Sequence, residues 1–309
     1  MKNIYKKNIE TKKLTKLDKL EENSWIELID PSKEEIETIS NETGADKNLL
    51  LKMLDEEELP RIEVHNDSTL VVIDTPFIEN GKYVTYPLGI LIVNNYILTI
   101  TLKQIKLLED FKLDKVDTFE TSKKTRFLIQ ILNKTAGTYL KLLSNVNSDL
   151  IAKEKILSKT TNNKHLIDLL TLEKTLVYFL TSLKADDIVL DKLIKGNILP
   201  FYEDDKELLE DTVIEVKQAI EMSTLYKDIL SSVTDTYATI VSNNLNEVMK
   251  FLAGITIVFS VPTMIASFLG MNVPLGDIAN NDISLVLIIS ASIFVALVLA
   301  LILKKKDML

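Results

Sequence analysis

The spacing of apolar residues changes along the chain, and each change marks a different kind of element. Trp25-Ile26-Glu27-Leu28-Ile29 alternates apolar and polar positions as a half-buried strand does. Asp30-Pro31 then supplies an N-cap and a first-turn proline for a helix running into Glu34-Glu35-Ile36. A second short helix is predicted from Asp46 to about Asp55, ending in the acidic run Glu56-Glu57-Glu58 before Pro60. Thr69–Asp74, Tyr86–Val93 and Tyr96–Leu102 are β-branched and apolar, and Asn94-Asn95 between the last two is a two-residue hairpin signal. Residues 1 to about 110 therefore read as a small α/β domain.

From about Ser122 to Lys195 Leu, Ile and Lys recur at three- and four-residue steps. Asn162-Asn163 marks the break between two antiparallel helices, and Gly196-Asn197 with Pro200 ends the second. Between about Glu203 and Leu269 the only proline is Pro262 and the only glycine Gly254. That predicts one helix of roughly 65 residues, about 100 Å long, and a helix of this length needs partners along its course.

Two uncharged stretches follow, Phe251–Gly276 and Ile283–Leu303. About 20 helical residues span the ~30 Å hydrocarbon core, so each is long enough to cross. The polar segment between them carries Asp277 and Asp282 and no Lys or Arg, whereas Lys304-Lys305-Lys306 follows the second stretch directly. Two crossings put both ends of the chain on one side, and the positive-inside rule makes that side the cytoplasm. The first residues lack an apolar stretch of the kind a cleavable signal needs, so none is expected.

Composition narrows the chemistry. The 309 residues carry 36 Lys+Arg against 45 Asp+Glu, a formal charge of −9, which argues against a nucleic-acid partner. With no cysteine and only two histidines, His65 and His165, disulfides, thiolate chemistry and multi-histidine zinc sites are excluded. A mean hydropathy of +0.13 in a chain that is 26% charged requires that the apolar residues be segregated, as the two C-terminal stretches are. The acidic residues come with no nucleophile, base or cofactor loop, so an enzyme is not expected.

Stepping along the long predicted helix by alternating fours and threes gives Asp228, Ser232, Asp235, Thr239, Ser242, Asn246, Met249, Ala253, Thr256, Ser260, Thr263 and Ser267. All but Met249 and Ala253 are polar, and the 3.5-residue step keeps them on one face. Inside the first stretch the flanking positions Phe251, Ile255, Val258, Phe259, Ile265 and Phe268 are apolar. A hydroxyl-bearing face at membrane depth either packs against a neighbouring helix or meets water. Several copies around an axis would turn it into a hydrated pore, with Met249 and Leu252 as a constriction that could gate by dewetting.

Gly270-Met271-Asn272 closes the first stretch. Together with Asn246-Glu247-Val248-Met249-Lys250-Phe251-Leu252, Pro262-Thr263 and the second span ending in Lys304-Lys305-Lys306, it resembles the CorA family of magnesium channels. Lys174–Leu190 and the run from Leu54-Asp55 through Pro60-Arg61-Ile62-Glu63 are also similar to bacterial members, so the resemblance covers nearly the whole chain. It implies an α+β membrane protein that assembles as a homopentamer in the cell membrane. The expected divisions are a cytoplasmic α/β funnel domain (1–121), a helical hairpin and long stalk helix (122–250), a pore-lining span (251–269), an external loop (270–282), an outer span (283–303) and a basic cytoplasmic tail (304–309).

Further expectations rest on the same resemblance. Gly270, Met271 and Asn272 would form the external selectivity entrance, where a ring of Asn272 amide oxygens holds the waters of Mg2+, an ion that dehydrates reluctantly. Oxygen-only lining disfavours a zinc-selective site, and Asp277 and Asp282 would concentrate cations outside the mouth. Asp211 falls at the stalk carboxylate of a regulatory Mg2+ site, with its partner near Glu63 or Asp67; Val64 stands where some members have a second acid. Pro262 directly precedes Thr263, one residue later than in other members. The implied activity is Mg2+ influx down the electrochemical gradient, closed by intracellular Mg2+, with no other cofactor. Two alternatives stay open: a transporter of Co2+, Ni2+ or Zn2+ on the same fold, and a membrane-anchored sensor or scaffold without transport.

Overall fold

The computed structural model describes residues 1–7, 13–157, 163–196, 198–271 and 282–309. They divide into two units, Met1–Val233 and Thr234–Leu309.

In the first unit the strands are β1 (Lys2–Lys7), β2 (Leu14–Leu17), β3 (Trp25–Ile29), β4 (Arg61–His65), β5 (Ser68–Glu79), β6 (Lys82–Val93) and β7 (Tyr96–Thr101). They form one sheet of order β2-β1-β3-β7-β6-β5-β4. β3 and β7 pair in parallel, and the other described neighbours are antiparallel. Helices α1 (Lys33–Thr43) and α2 (Lys47–Lys52) lie between β3 and β4 in the chain; α3 (Lys106–Lys112), α4 (Lys124–Leu157) and α5 (Asn163–Lys195) follow β7. Helix α6 (Glu203–Leu269) begins in this unit and runs on into the second.

Side chains alternate across a strand, so one sheet packs two cores. On one face Ile26, Leu28, Leu70, Val72, Leu91, Leu98 and Ile100 pack with Ile36, Ile39, Leu49, Leu50 and Met53 of α1 and α2. On the other, Trp25 meets Phe127 of α4 edge-on at 5.2 Å, and its indole N–H donates to Thr99 Oγ1 at 2.9 Å. Tyr139 of α4 and Phe179 of α5 stack edge to face at 5.3 Å. An aromatic pair in that arrangement adds about 0.5–1.5 kcal/mol to the burial of its area.

Three local outcomes differ from the sequence reading. Helix α1 is capped by Ser32, not Asp30: Ser32 Oγ accepts from Glu35 N–H, and Glu35 accepts from Ser32 N–H at 3.0 Å, a reciprocal box that outcompetes Asp30-Pro31. Asp30 instead ends β3 in a left-handed turn (φ 44°), donating its N–H to Thr101 O at 2.8 Å. β5 and β6 each run for 12 residues, well past Asp74 and before Tyr86, and close at Asn80-Gly81, where both φ angles are positive (51° and 75°). Asn-Gly suits such a turn, and the prolines at 76 and 87 masked the strand pattern around it. β1, β2, β4 and α3 were also absent from the sequence reading.

The second unit contains the rest of α6 and helix α7 (Asp282–Lys305). Both are long and apolar enough to cross a membrane, with mean hydropathies of 2.0 and 3.1 over their most apolar windows. The 67 residues of α6 match the expected single helix, and Pro262 is carried inside it.

Candidate functional site

An α-helix turns about 100° per residue, so the polar positions singled out along α6 share a face wherever the helix is regular. Asp228 is exposed, with Lys227 Nζ 3.6 Å from its carboxylate. In the second unit Asp235, Thr239, Ser242, Asn246, Met249, Ala253, Thr256, Ser260, Thr263 and Ser267 are all exposed in the single chain. Leu252 is exposed as well (57%). The less exposed residues of the same stretch, Gly254, Ile255, Val258, Val261, Pro262, Ile265 and Leu269, follow a different stripe.

The hydroxyls have a defined polarity. Thr256 Oγ1 donates to Leu252 O at 2.8 Å, Ser260 Oγ to Ile257 O at 2.8 Å, and Thr263 Oγ1 to Phe259 O at 2.9 Å. Each hydroxyl hydrogen is thus spent on the helix's own carbonyls. The oxygen lone pairs are left facing outward, and a hydroxyl has two of them. Such a row accepts hydrogen bonds, which is what the coordinated waters of a cation offer; the same back-bonding also satisfies a hydroxyl that merely packs.

At the end of α6, Gly270 N–H donates to Ala266 O at 3.0 Å and Met271 N–H to Phe268 O at 3.4 Å, continuing the helical turn, and Met271 is 54% exposed. Asn272 and Asp277 lie outside the described residues; Asp282 opens α7.

The expected regulatory carboxylates are not gathered within one chain. Glu63 on β4 is held by Lys52, whose Nζ sits 2.8 and 2.7 Å from its two oxygens, and by the Arg61 guanidinium. Burial raises the Glu63 pKa, but these two cations outweigh it and the net direction is down. Asp67 is exposed in the turn after β4, and Asp211 is exposed on α6. Among the described residues no group of three or more His, Asp or Glu side chains could hold a metal ion. Lys52 as the partner of Glu63 was not legible in the sequence, because the two meet only across α2 and β4.

A second acidic feature was missed as well. Asp186 of α5 is 5% exposed, and its Oδ1 accepts from Asp74 N–H at 3.0 Å. Ser182 Oγ donates to Asp74 Oδ2 at 2.5 Å, and Tyr139 Oη donates to Asp74 O at 3.3 Å. Burial, and secondarily the charge of Asp74, pushes the Asp186 pKa well above the usual carboxylate range; burial also raises Asp74, opposed by the Ser182 hydrogen bond. This network ties β5 to α4 and α5.

Comparison with known proteins covers almost the whole chain. The sequence profile of a family described as "CorA-like Mg2+ transporter protein" matches residues 21–305. The cobalt/magnesium transport protein CorA of Methanocaldococcus jannaschii is 31% identical over 291 residues, 91% of this chain and 90% of that protein. The namesake from Thermotoga maritima is 30% identical over 155 residues, 47% of this chain and 41% of that one. The complete structure of the M. jannaschii CorA magnesium transporter superposes with a TM-score of 0.86 at 29% identity, covering 98% of this chain and 96% of that one.

Proposed function

Since the chain belongs to the CorA-like Mg2+ transporter family, we propose that it carries Mg2+ into the cell through a hydrated path built by five copies around one axis. The observation that carries the proposal is the exposed hydroxyl row of α6, with the hydrogens of Thr256, Ser260 and Thr263 turned back onto the helix. A single copy would leave that row in lipid, where polar groups are costly. A ring of copies makes it the wall of a pore. Mg2+ gives up its waters reluctantly, so a wall of acceptors suits an ion that moves with its hydration shell.

In this reading Gly270, Met271 and Asn272 form the external entrance and Asn272 supplies neutral oxygens to the ion's waters. Thr256, Ser260, Thr263 and Ser267 line the membrane segment, Met249 and Leu252 constrict it, and Asn246, Asp235 and Asp228 line its cytoplasmic continuation. Both ends of the chain are cytoplasmic, with Lys304-Lys305-Lys306 at the inner surface. A membrane potential of 100 mV drives a divalent cation inward with about 4.6 kcal/mol, twice the value per unit charge, so no nucleotide is needed.

Closure by intracellular Mg2+ is part of the proposal. Asp211 supplies a carboxylate to a site completed by another subunit, with Asp67 or Glu63 as its partner. Glu63 is already neutralised by Lys52 and Arg61, which makes Asp67 the freer of the two. When the ion leaves, carboxylate repulsion returns and the subunits part.

The test is uptake into liposomes holding the purified chain and a Mg2+-sensitive dye. Saturable Mg2+ entry that Asn272→Ala reduces, and that Asp211→Asn renders less sensitive to internal Mg2+, supports the proposal. Absence of divalent flux would favour a membrane-anchored scaffold. Entry of Zn2+ without Mg2+ would favour the other cation reading, and Co2+ or Ni2+ competing with Mg2+ would widen the substrate range.

A further inference from the structure

The residues after α7 are folded into a defined cap. Lys306 N–H donates to Leu303 O at 3.0 Å, Asp307 N–H to Lys304 O at 3.2 Å, and Met308 N–H to Leu303 O at 3.0 Å. With Asp307 left-handed at φ 52°, this is the double-bonded helix ending that glycine usually serves. It reverses the chain and lays Met308 and Leu309 against α6. Both are half-buried, whereas Lys304 through Asp307 are exposed.

The seat they occupy is Gly254, a buried position of α6 and the only glycine in that helix. A Cβ at Gly254 would lie 2.6 Å from Met308 O and 3.0 Å from Leu309 Cγ. The nearer atom is backbone, fixed by the cap, so it cannot swing away as a side-chain tip can. A glycine inside a helix weakens it; here the missing side chain admits a second segment of chain.

The location gives the contact a consequence. At about 100° per residue, Met249 and Leu252 stand roughly 140° and 160° around the helix from Gly254. The seat is therefore behind the residues read as the constriction, about 3 Å from Leu252 and about 8 Å from Met249 along the helix axis. We propose that Gly254 and the Met308–Leu309 segment are positioning residues for the gate: they brace α6 from behind and set how far Met249 and Leu252 reach toward the pore axis. This rests on the reading of α6 as the pore helix.

Two readouts on the full chain in liposomes test it. Limited trypsinolysis, followed by intact mass, reports release of the tail after Lys304, Lys305 or Lys306 without reference to transport. Gly254→Ala should speed that cleavage about threefold or more, and Ile257→Ala, an exposed neighbour, should not. Mg2+ uptake then reports the gate. Gly254→Ala expels the segment and deletion from Met308 onward removes it, so each takes the brace from behind α6 and raises the rate. In the deleted background Gly254→Ala should be silent, a coupling of about threefold or more, as for residues in contact. Unchanged cleavage in Gly254→Ala would overturn the seat, and additive effects on uptake would overturn its role at the gate. Wild-type protein that passes no Mg2+ would overturn the transport reading instead, with the cleavage result still deciding whether the seat exists.

Discussion

Replacing Asp186 by Asn should flatten the pH dependence of stability in the first unit. Asp186 and Asp74 are buried side by side, and among the described residues neither has an ion-pair partner; their contacts are Ser182, Tyr139 and each other's backbone or charge. Both pKa values are raised, Asp186 the more, by burial first. The folded chain therefore binds protons more tightly than the unfolded chain, whose aspartates titrate near about 3.9. The stability these groups contribute is fully present below that value and is lost as pH rises through the folded-state pKa. Inside the window each group contributes a slope of about −1.4 kcal/mol per pH unit. For a unit of this size, Met1–Val233, that is a fall of about 3 to 6 °C in midpoint per pH unit. Asn keeps the acceptor that Asp74 N–H uses and removes the titration. The assay is thermal unfolding of the detergent-purified chain from pH 5 to 8. It is followed by fluorescence of Trp25, the sole tryptophan, buried in the sheet core. Wild type should lose stability as pH rises, and the Asn variant should lose about 1.4 kcal/mol less per unit within the window. Parallel curves for the two proteins would refute the reasoning.

Lys112→Met should destabilise the first unit by about 3–5 kcal/mol, because Glu27, which is 2% exposed and takes Lys112 Nζ at 2.6 Å, loses its countercharge and keeps only the Asn3 amide at 3.0 Å; denaturant unfolding checks this, and Glu27→Gln in the same background should recover part of the loss. Gly89→Ala should cost about 1–3 kcal/mol by overpacking, since its Cβ would lie 2.8 Å from Met53 Cγ and Sδ. Met53→Ala should relieve that clash in the same unfolding assay, so that the pair of changes costs less than the sum of the two alone.

The helical half of the fold was the most legible because its signals are long. The stretch from Glu203 to Leu269, broken by one glycine and one proline, became a single helix, and the uncharged run from Ile283 became α7. The sheet was read only where a strand is apolar along its length or, as in β3, alternates cleanly around a single polar residue. β1 and β2 were missed because strands such as Lys-Asn-Ile-Tyr-Lys-Lys and Leu-Thr-Lys-Leu carry little apolar pattern and are fixed by pairing with β3 and with each other. The Asp186 network left a trace that went unread: Phe179, Leu183, Asp186 and Leu190 fall on one buried face of α5, so an acid interrupts an apolar stripe. The hydroxyl face of α6 was legible from its 3.5-residue period, but the direction of its hydrogens depends on the helix carbonyls and could not be. Nor could the seat at Gly254, since it joins residues far apart in the chain.

If α6 lines a hydrated pore, water reaches its hydroxyl side and not its other sides. The chain contains no cysteine, so any thiol introduced is the only one present. Cysteines placed singly at Thr256, Ser260, Thr263 and Ser267, and at Ile257, Phe259, Met264 and Phe268, can be treated in liposomes with a charged, membrane-impermeant thiol reagent while Mg2+ entry is recorded. Rapid modification and block are expected at the first four positions, and slow modification without block at the second four. Equal reactivity around the helix, or block confined to the second set, would contradict a pore-lining α6.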